Sequence, residues 1–154
     1  MCPDSTADNP SSPKSDFDGA VEAFREALVS YYKGDPKPVI NLFSRSDDVT
    51  LANPLGPPRR GPAEVDKATA DGAAQVRDGS IRGFEEVARY STPDLGYVVQ
   101  IERGQGRLAG SETMSPTALR VTMIFRREGN TWRVVHRHAD TILTSRPIST
   151  TIET

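Results

Sequence analysis

The 154-residue chain has a single cysteine, Cys2, so no disulfide can form within it and nothing in its thiol content suggests an oxidising compartment. Long apolar runs are missing. No stretch approaches the roughly 20 residues that a membrane-spanning helix needs, and the N-terminus lacks the apolar segment of a secretion signal. Charge of one sign is also missing: 19 basic and 21 acidic residues leave a net charge of −2, too weak a field to draw in nucleic acid. The basic pairs Arg59-Arg60 and Arg126-Arg127 have no interleaved aromatics and read as solvated charges. Gly104, Gly106 and Gly110 do not stand between a strand and a helix start, so no phosphate-binding loop is implied. These absences leave a soluble, cytoplasmic protein with neither a membrane nor a nucleic acid as partner.

What is present divides into three parts. Residues 1–15 (MCPDSTADNPSSPKS) hold almost no large apolar group and read as a disordered tail. Residues 16–145 read as one domain, and 146–154 as a C-terminal tail. Helical periodicity begins at Phe17 and runs through Ala20, Val21, Phe24 and Leu28 to Tyr31 or Tyr32, stopped by Gly34-Asp35-Pro36. A short helix is expected over Lys37 to Phe43, a strand over Val49 to Ala52, and a loop over Asn53 to Gly61. Pro62 suits the first turn of a third helix, with Val65, Ala68, Ala73 and Val76 inward. Strands follow: Gly83 to Ser91, then Leu95 to Glu102 with alternating Leu95, Tyr97, Val99 and Ile101. Ala118 to Arg127 and Thr131 to Leu143 form a hairpin turning at Gly129-Asn130. Helices first and long antiparallel strands afterwards is an α+β order.

From about Phe17 to Leu143 the chain resembles the ketosteroid isomerase-like, or nuclear transport factor 2-like, superfamily, and particularly its SnoaL-like bacterial members. The likeness rests on Gly34-Asp35, on Asp47 to Gly56 (DDVTLANPLG), on Arg60-Gly61 and on Trp132 to Asp140 (WRVVHRHAD). The resemblance implies a cystatin-like cone: three N-terminal helices packed on a strongly curved, mostly antiparallel sheet around one small-molecule pocket. It also locates the positions of the family's isomerase chemistry, which moves a proton with a carboxylate and holds the enolate oxygen with a tyrosine and a protonated acid. Here Asn53 stands at the base position, Ala27 at the tyrosine position and Thr122 near the second acid. An amide cannot accept that proton, so isomerisation of the steroid type is not expected.

Other polar residues take the place of the missing ones. Tyr31 lies one turn beyond Ala27 on the same helix face, and Asn53 offers an amide. A two-residue turn at Gly129-Asn130 pairs Thr122 with Arg137, Arg120 with Ala139 and Ile124 with Val135. One hairpin face then carries Arg120, Thr122 and Arg137; the other carries Val121, Met123, Phe125, Trp132, Val134, His136 and His138. Burial alone puts the second, apolar face in the core. The correspondence through Thr122 puts the first face in the pocket, with the apolar face on the outer sheet surface, covered in a homodimer. On that register Arg120 and Arg137 flank Thr122 and favour an anion. A bulge near Gly129 reverses the assignment and makes His138, beside Asp140, the best general base.

His136 and His138 share a strand face at a spacing seen in metal sites, with Asp140 or Glu102 as further ligands, but nothing in the spacing fixes a third ligand and no metal is expected. No cofactor is expected either. The site residues expected to hold a ligand are Tyr31, Asn53, Arg120, Thr122, Arg137 and His138. The function expected is the binding of a small lipophilic or carboxylate-bearing ligand. The alternative is a cofactor-independent acid–base enzyme, a cyclase, isomerase or dehydratase, using His138 or Tyr31.

Overall fold

The computed structural model describes residues 16–154, so the expected N-terminal tail and Cys2 lie outside the described residues. Helix α1 (Asp16–Tyr31) buries Phe17, Val21, Phe24 and Leu28 of the expected stripe together with Ala27, while Ala20 and Tyr31 are partly buried, and Asp16 and Asp18 stand in its first turn. Acidic groups there complement the positive end of the helix dipole. Gly34, at φ 96°, takes the left-handed turn that ends this segment. Helix α2 (Lys37–Ile40) is shorter than expected because Phe43 leaves the helical path to bridge Val134.

Strand β1 (Thr50–Ala52) is followed by β2 (Arg59–Arg60), a two-residue strand inside the expected loop, and by α3 (Pro62–Ala73). On α3 the buried side is Val65, Thr69, Gly72 and Ala73, while Val76 already begins β3 (Val76–Ser91). Strand β4 (Leu95–Leu108), β5 (Met114–Glu128) and β6 (Thr131–Asp140) complete one sheet in the order β2-β1-β6-β5-β4-β3. The β1–β6 pair is parallel and the other pairs are antiparallel. Three register shifts in β3 interrupt its pairing with β4, and shifts of this kind bend and twist a strand. Helix α1 and the loop residue Phe43 cover one face of the sheet, where Val98, Val121, Met123, Phe125, Trp132 and Val134 complete the core. Residues 146–154 are all exposed and hold only a 3-10 turn at Ile148–Thr151.

The β5–β6 hairpin departs from the expected register. Its two-residue turn is as expected, pairing Glu128 with Thr131 and Phe125 with Val134. A bulge at Val135 then shifts the ladder: Ile124 pairs with His136, Thr122 with His138 and Arg120 with Asp140. The pairing of Thr122 with Arg137 and of Arg120 with Ala139 is therefore corrected. The reason is apolar burial. Leu119, Val121, Met123 and Phe125 form one unbroken inner row on β5, and β6 must deliver Trp132, Val134 and Ala139 to the same side. Those positions differ in parity, so one extra residue between Val134 and Ala139 is required. The bulge turns Arg137 inward and sends His136 and His138 outward.

Candidate functional site

A cavity of about 250 Å³ lies between the inner sheet face and the helices. Its walls are mainly apolar, with Leu28, Val39, Phe43, Leu51, Leu108 and Leu119 prominent. Its volume lies just below the usual small-molecule range, which suits a compact ligand.

Three of the expected ligand-binding residues line this cavity: Tyr31, Asn53 and Arg137. The other three do not. Arg120 and Thr122 stand on the opposite face of the sheet because Leu119, Val121, Met123 and Phe125 take the core side of β5, and the bulge turns His138 out to join them. There Arg120 forks onto Asp140 through Nε at 2.9 Å and Nη2 at 2.7 Å, and His138 Nε2 lies 2.9 Å from Asp140 Oδ2. Asp140 is held at about 2, chiefly by the Arg120 hydrogen bonds. Nearby, His136 Nδ1 meets Thr50 Oγ1 at 2.7 Å, and partial burial pushes this imidazole below its ordinary value. Among the described residues no group of three His, Cys, Asp or Glu side chains is placed to hold a metal ion.

Inside the cavity Arg137 does not act alone. Its Nη1 and Nη2 donate to Glu102 Oε2 and Oε1 at 2.8 and 2.7 Å, and both side chains are nearly excluded from solvent. Phe24 lies under the guanidinium at 5.2 Å, and Met123 Sδ is 3.4 Å from Nη1. Burial alone would push Arg137 down, but Glu102 holds it above its ordinary value. Glu102 accepts a third hydrogen bond, from Gln100 Nε2 at 3.0 Å, and Gln100 Oε1 in turn accepts from Arg25 at 2.6 Å. A polar chain thus runs along the inner row of β4, from Arg25 on α1 to the cavity wall.

Sequence reasoning missed Glu102 as a cavity residue. The alternation of Leu95, Tyr97, Val99 and Ile101 is real, but that row faces outward; Gly96, Val98, Gln100, Glu102, Gly104 and Gly106 are the buried row. The glycines are the signal that marks this face. A Cβ on Gly96 would meet the Phe17 ring at 2.5 Å, and one on Gly104 the Tyr32 ring at 2.7 Å. They let α1 and the chain just after it lie directly on the strand.

The tyrosines close the site. Tyr32 bonds Thr117 Oγ1 at 2.9 Å. The Tyr31 hydroxyl has no hydrogen bond to another described residue, and it sits where α3 has no side chain: a Cβ on Gly72 would lie 2.2 Å from it. Burial raises its pKa above the ordinary phenolic value, so at neutral pH it is a donor. Ala27, one turn earlier, is core. Asn53 spends its carbonyl on the Leu55 N–H at 3.0 Å, fixing the turn before Pro54, and keeps its amide N–H groups.

A SnoaL-like domain model matches residues 21–143, which is most of the chain. The chain belongs to the SnoaL-like domain family. Solved structures agree. A ketosteroid isomerase-like protein of Erwinia carotovora atroseptica matches with a TM-score of 0.67 at 18% identity, over 82% of this chain and 94% of that one. A protein of Streptomyces avermitilis described as a dehydratase of the NTF2-like family matches with a TM-score of 0.68 at 22% identity, over 84% and 95%. A protein of Thiobacillus denitrificans described as a calcium/calmodulin-dependent protein kinase type II association domain matches with a TM-score of 0.64 at 25% identity, over 81% and 94%. The fold is cystatin-like α+β, shared also with a protein of Caulobacter vibrioides. No protein in the curated collection matches.

Proposed function

We propose that this SnoaL-like protein binds one compact lipophilic molecule in the cavity under α1 and α3, and that it does not perform the steroid-type isomerisation of its superfamily. The observation that carries this reading is the pairing of a largely apolar cavity with the unspent Tyr31 hydroxyl and the unspent amide N–H groups of Asn53, which stands at the base position. A ligand carbonyl, ether or hydroxyl oxygen is the natural acceptor. Calorimetry or thermal-shift screening of small lipophiles tests it. Tyr31→Phe should weaken a ligand found this way by about 3- to 10-fold, the worth of one neutral hydrogen bond. A ligand whose affinity ignores Tyr31 would contradict the assignment.

The enzymatic alternative keeps one supporting observation. Tyr31 is protonated and buried, so it suits the role of a general acid or an oxyanion donor. His138, half-exposed on the far face, has no place in that chemistry.

The same reading includes a homodimer through the outer sheet face, on altered grounds. The apolar row of β5 is internal, but Tyr90 and Tyr97 stand exposed outside with ring centroids 6.3 Å apart, beside Ile124 and Val99. Light scattering should return twice the 16.8 kDa chain mass, and a monomer would remove this part of the proposal. A cytoplasmic setting is kept as part of the reading; no described helix is long and apolar enough to cross a membrane.

A further inference from the structure

We infer that the cavity selects an uncharged ligand and rejects a carboxylate, because Glu102 already occupies the guanidinium fork of Arg137. The inference rests on the ligand-binding reading above and narrows its ligand class. Arg137 and Glu102 are the only charged side chains on the cavity wall among the described residues, so the wall is neutral as a whole. Both carboxylate oxygens of Glu102 are engaged by the guanidinium, at 2.7 and 2.8 Å. Phe24 and Met123 cover more of the guanidinium. An incoming carboxylate would have to share one cation with a second anion in a low-dielectric space, and would lose its own hydration on entry. A neutral amide, ketone or alcohol meets no such cost and can take the Tyr31 hydrogen bond.

Glu102 thus acts as a built-in occupant of the anion site. Gln100 holds it there: its amide orientation is fixed by Arg25 on one side and by Glu102 on the other. Removing the charge of Glu102 while keeping its shape should convert the cavity into a carboxylate receptor, since Arg137 would then face it uncompensated.

The test uses two shape-matched pairs, octanamide with octanoate and cinnamamide with cinnamate, in thermal-shift and calorimetric titrations of the full chain at pH 7.5. In the wild-type protein the amide should bind at least tenfold more tightly than its carboxylate. In Glu102→Gln the order should reverse for at least one pair, and adding Arg137→Met should abolish carboxylate binding again. Carboxylate binding to the wild type as tight as, or tighter than, the amide overturns the inference and leaves the ligand-binding reading standing. A folded Glu102→Gln protein that keeps the wild-type order also overturns it. If neither member of either pair binds the wild type, the ligand-binding reading falls and the inference with it. Should Glu102→Gln fail to fold, the wild-type ratio alone decides.

Discussion

The two faces of the sheet carry the same chemical pair in opposite surroundings. On the inner face Arg137 forks onto Glu102 at 2.7 and 2.8 Å; on the outer face Arg120 forks onto Asp140 at 2.7 and 2.9 Å. The distances are nearly the same, with Arg137 binding through its two Nη groups and Arg120 through Nε and Nη2, but the inner side chains are 10% and 3% exposed and the outer ones 52% and 19%. Burial, not geometry, decides what each pair does. The outer pair is solvated and screened, so its net contribution to stability is small. The inner pair has lost its water, so each partner depends on the other, and removing either leaves a bare charge in the core.

The largest expected effect follows from that dependence. Glu102→Ala should cost about 3–5 kcal/mol in urea unfolding, because Arg137 would be left buried without a counter-charge. Next is Gly72→Ala, whose new methyl would occupy the place of the Tyr31 hydroxyl. It should cost about 1–3 kcal/mol by overpacking. Tyr31→Phe added to it should restore most of that loss, since the nearest remaining ring atom, Cζ, lies at 3.4 Å from the new methyl. Replacing both inner partners at once, Glu102→Leu with Arg137→Met, should bring stability to within about 1 kcal/mol of wild type or above it. A double variant no better than Glu102→Ala would show that the pair, rather than its burial, supplies the stability.

The outer face gives the smallest effects. Arg120→Ala should cost no more than about a third of the Glu102→Ala loss in urea unfolding at neutral pH. Asp140, held at about 2 in the folded chain, contributes stability that is present above the ordinary aspartate value near 4 and is lost as the pH falls through about 2. Unfolding midpoints measured from pH 5 down to pH 2 should therefore drop less in Asp140→Asn than in wild type. Equal slopes would place the acid sensitivity elsewhere.

Much of the fold is written in local patterns. The α1 stripe, the Gly34 stop, Pro62 at the start of α3 and the Gly129-Asn130 turn each follow from steric or periodic rules acting within a few residues. The site was only half legible. Tyr31 and Asn53 were reached through the family pattern, and both line the cavity. Arg120 and Thr122 lie outside because the apolar row Leu119 to Phe125 makes the opposite face of β5 the core face, and the one-residue bulge at Val135 turns His138 out beside them, since a strand reverses its faces with every residue of slip. The demand for that bulge was present in the parity of Trp132, Val134 and Ala139, but it becomes visible only once β5 fixes which side is the core. Glu102 escaped for a related reason: on β4 the outer row, Leu95 to Ile101, is the more hydrophobic, and the buried row is marked by glycines instead. A pair joining β4 to β6 across β5 leaves no spacing in the sequence at all.

On the proposed reading, Glu102 neutralises Arg137 and so sets the charge of the ligand. The most direct measurement is the ratio of octanamide to octanoate affinity by calorimetry, in wild type and in Glu102→Gln. The ratio should fall from ten or more to below one on that single substitution; a ratio that the substitution leaves unchanged would contradict the claim.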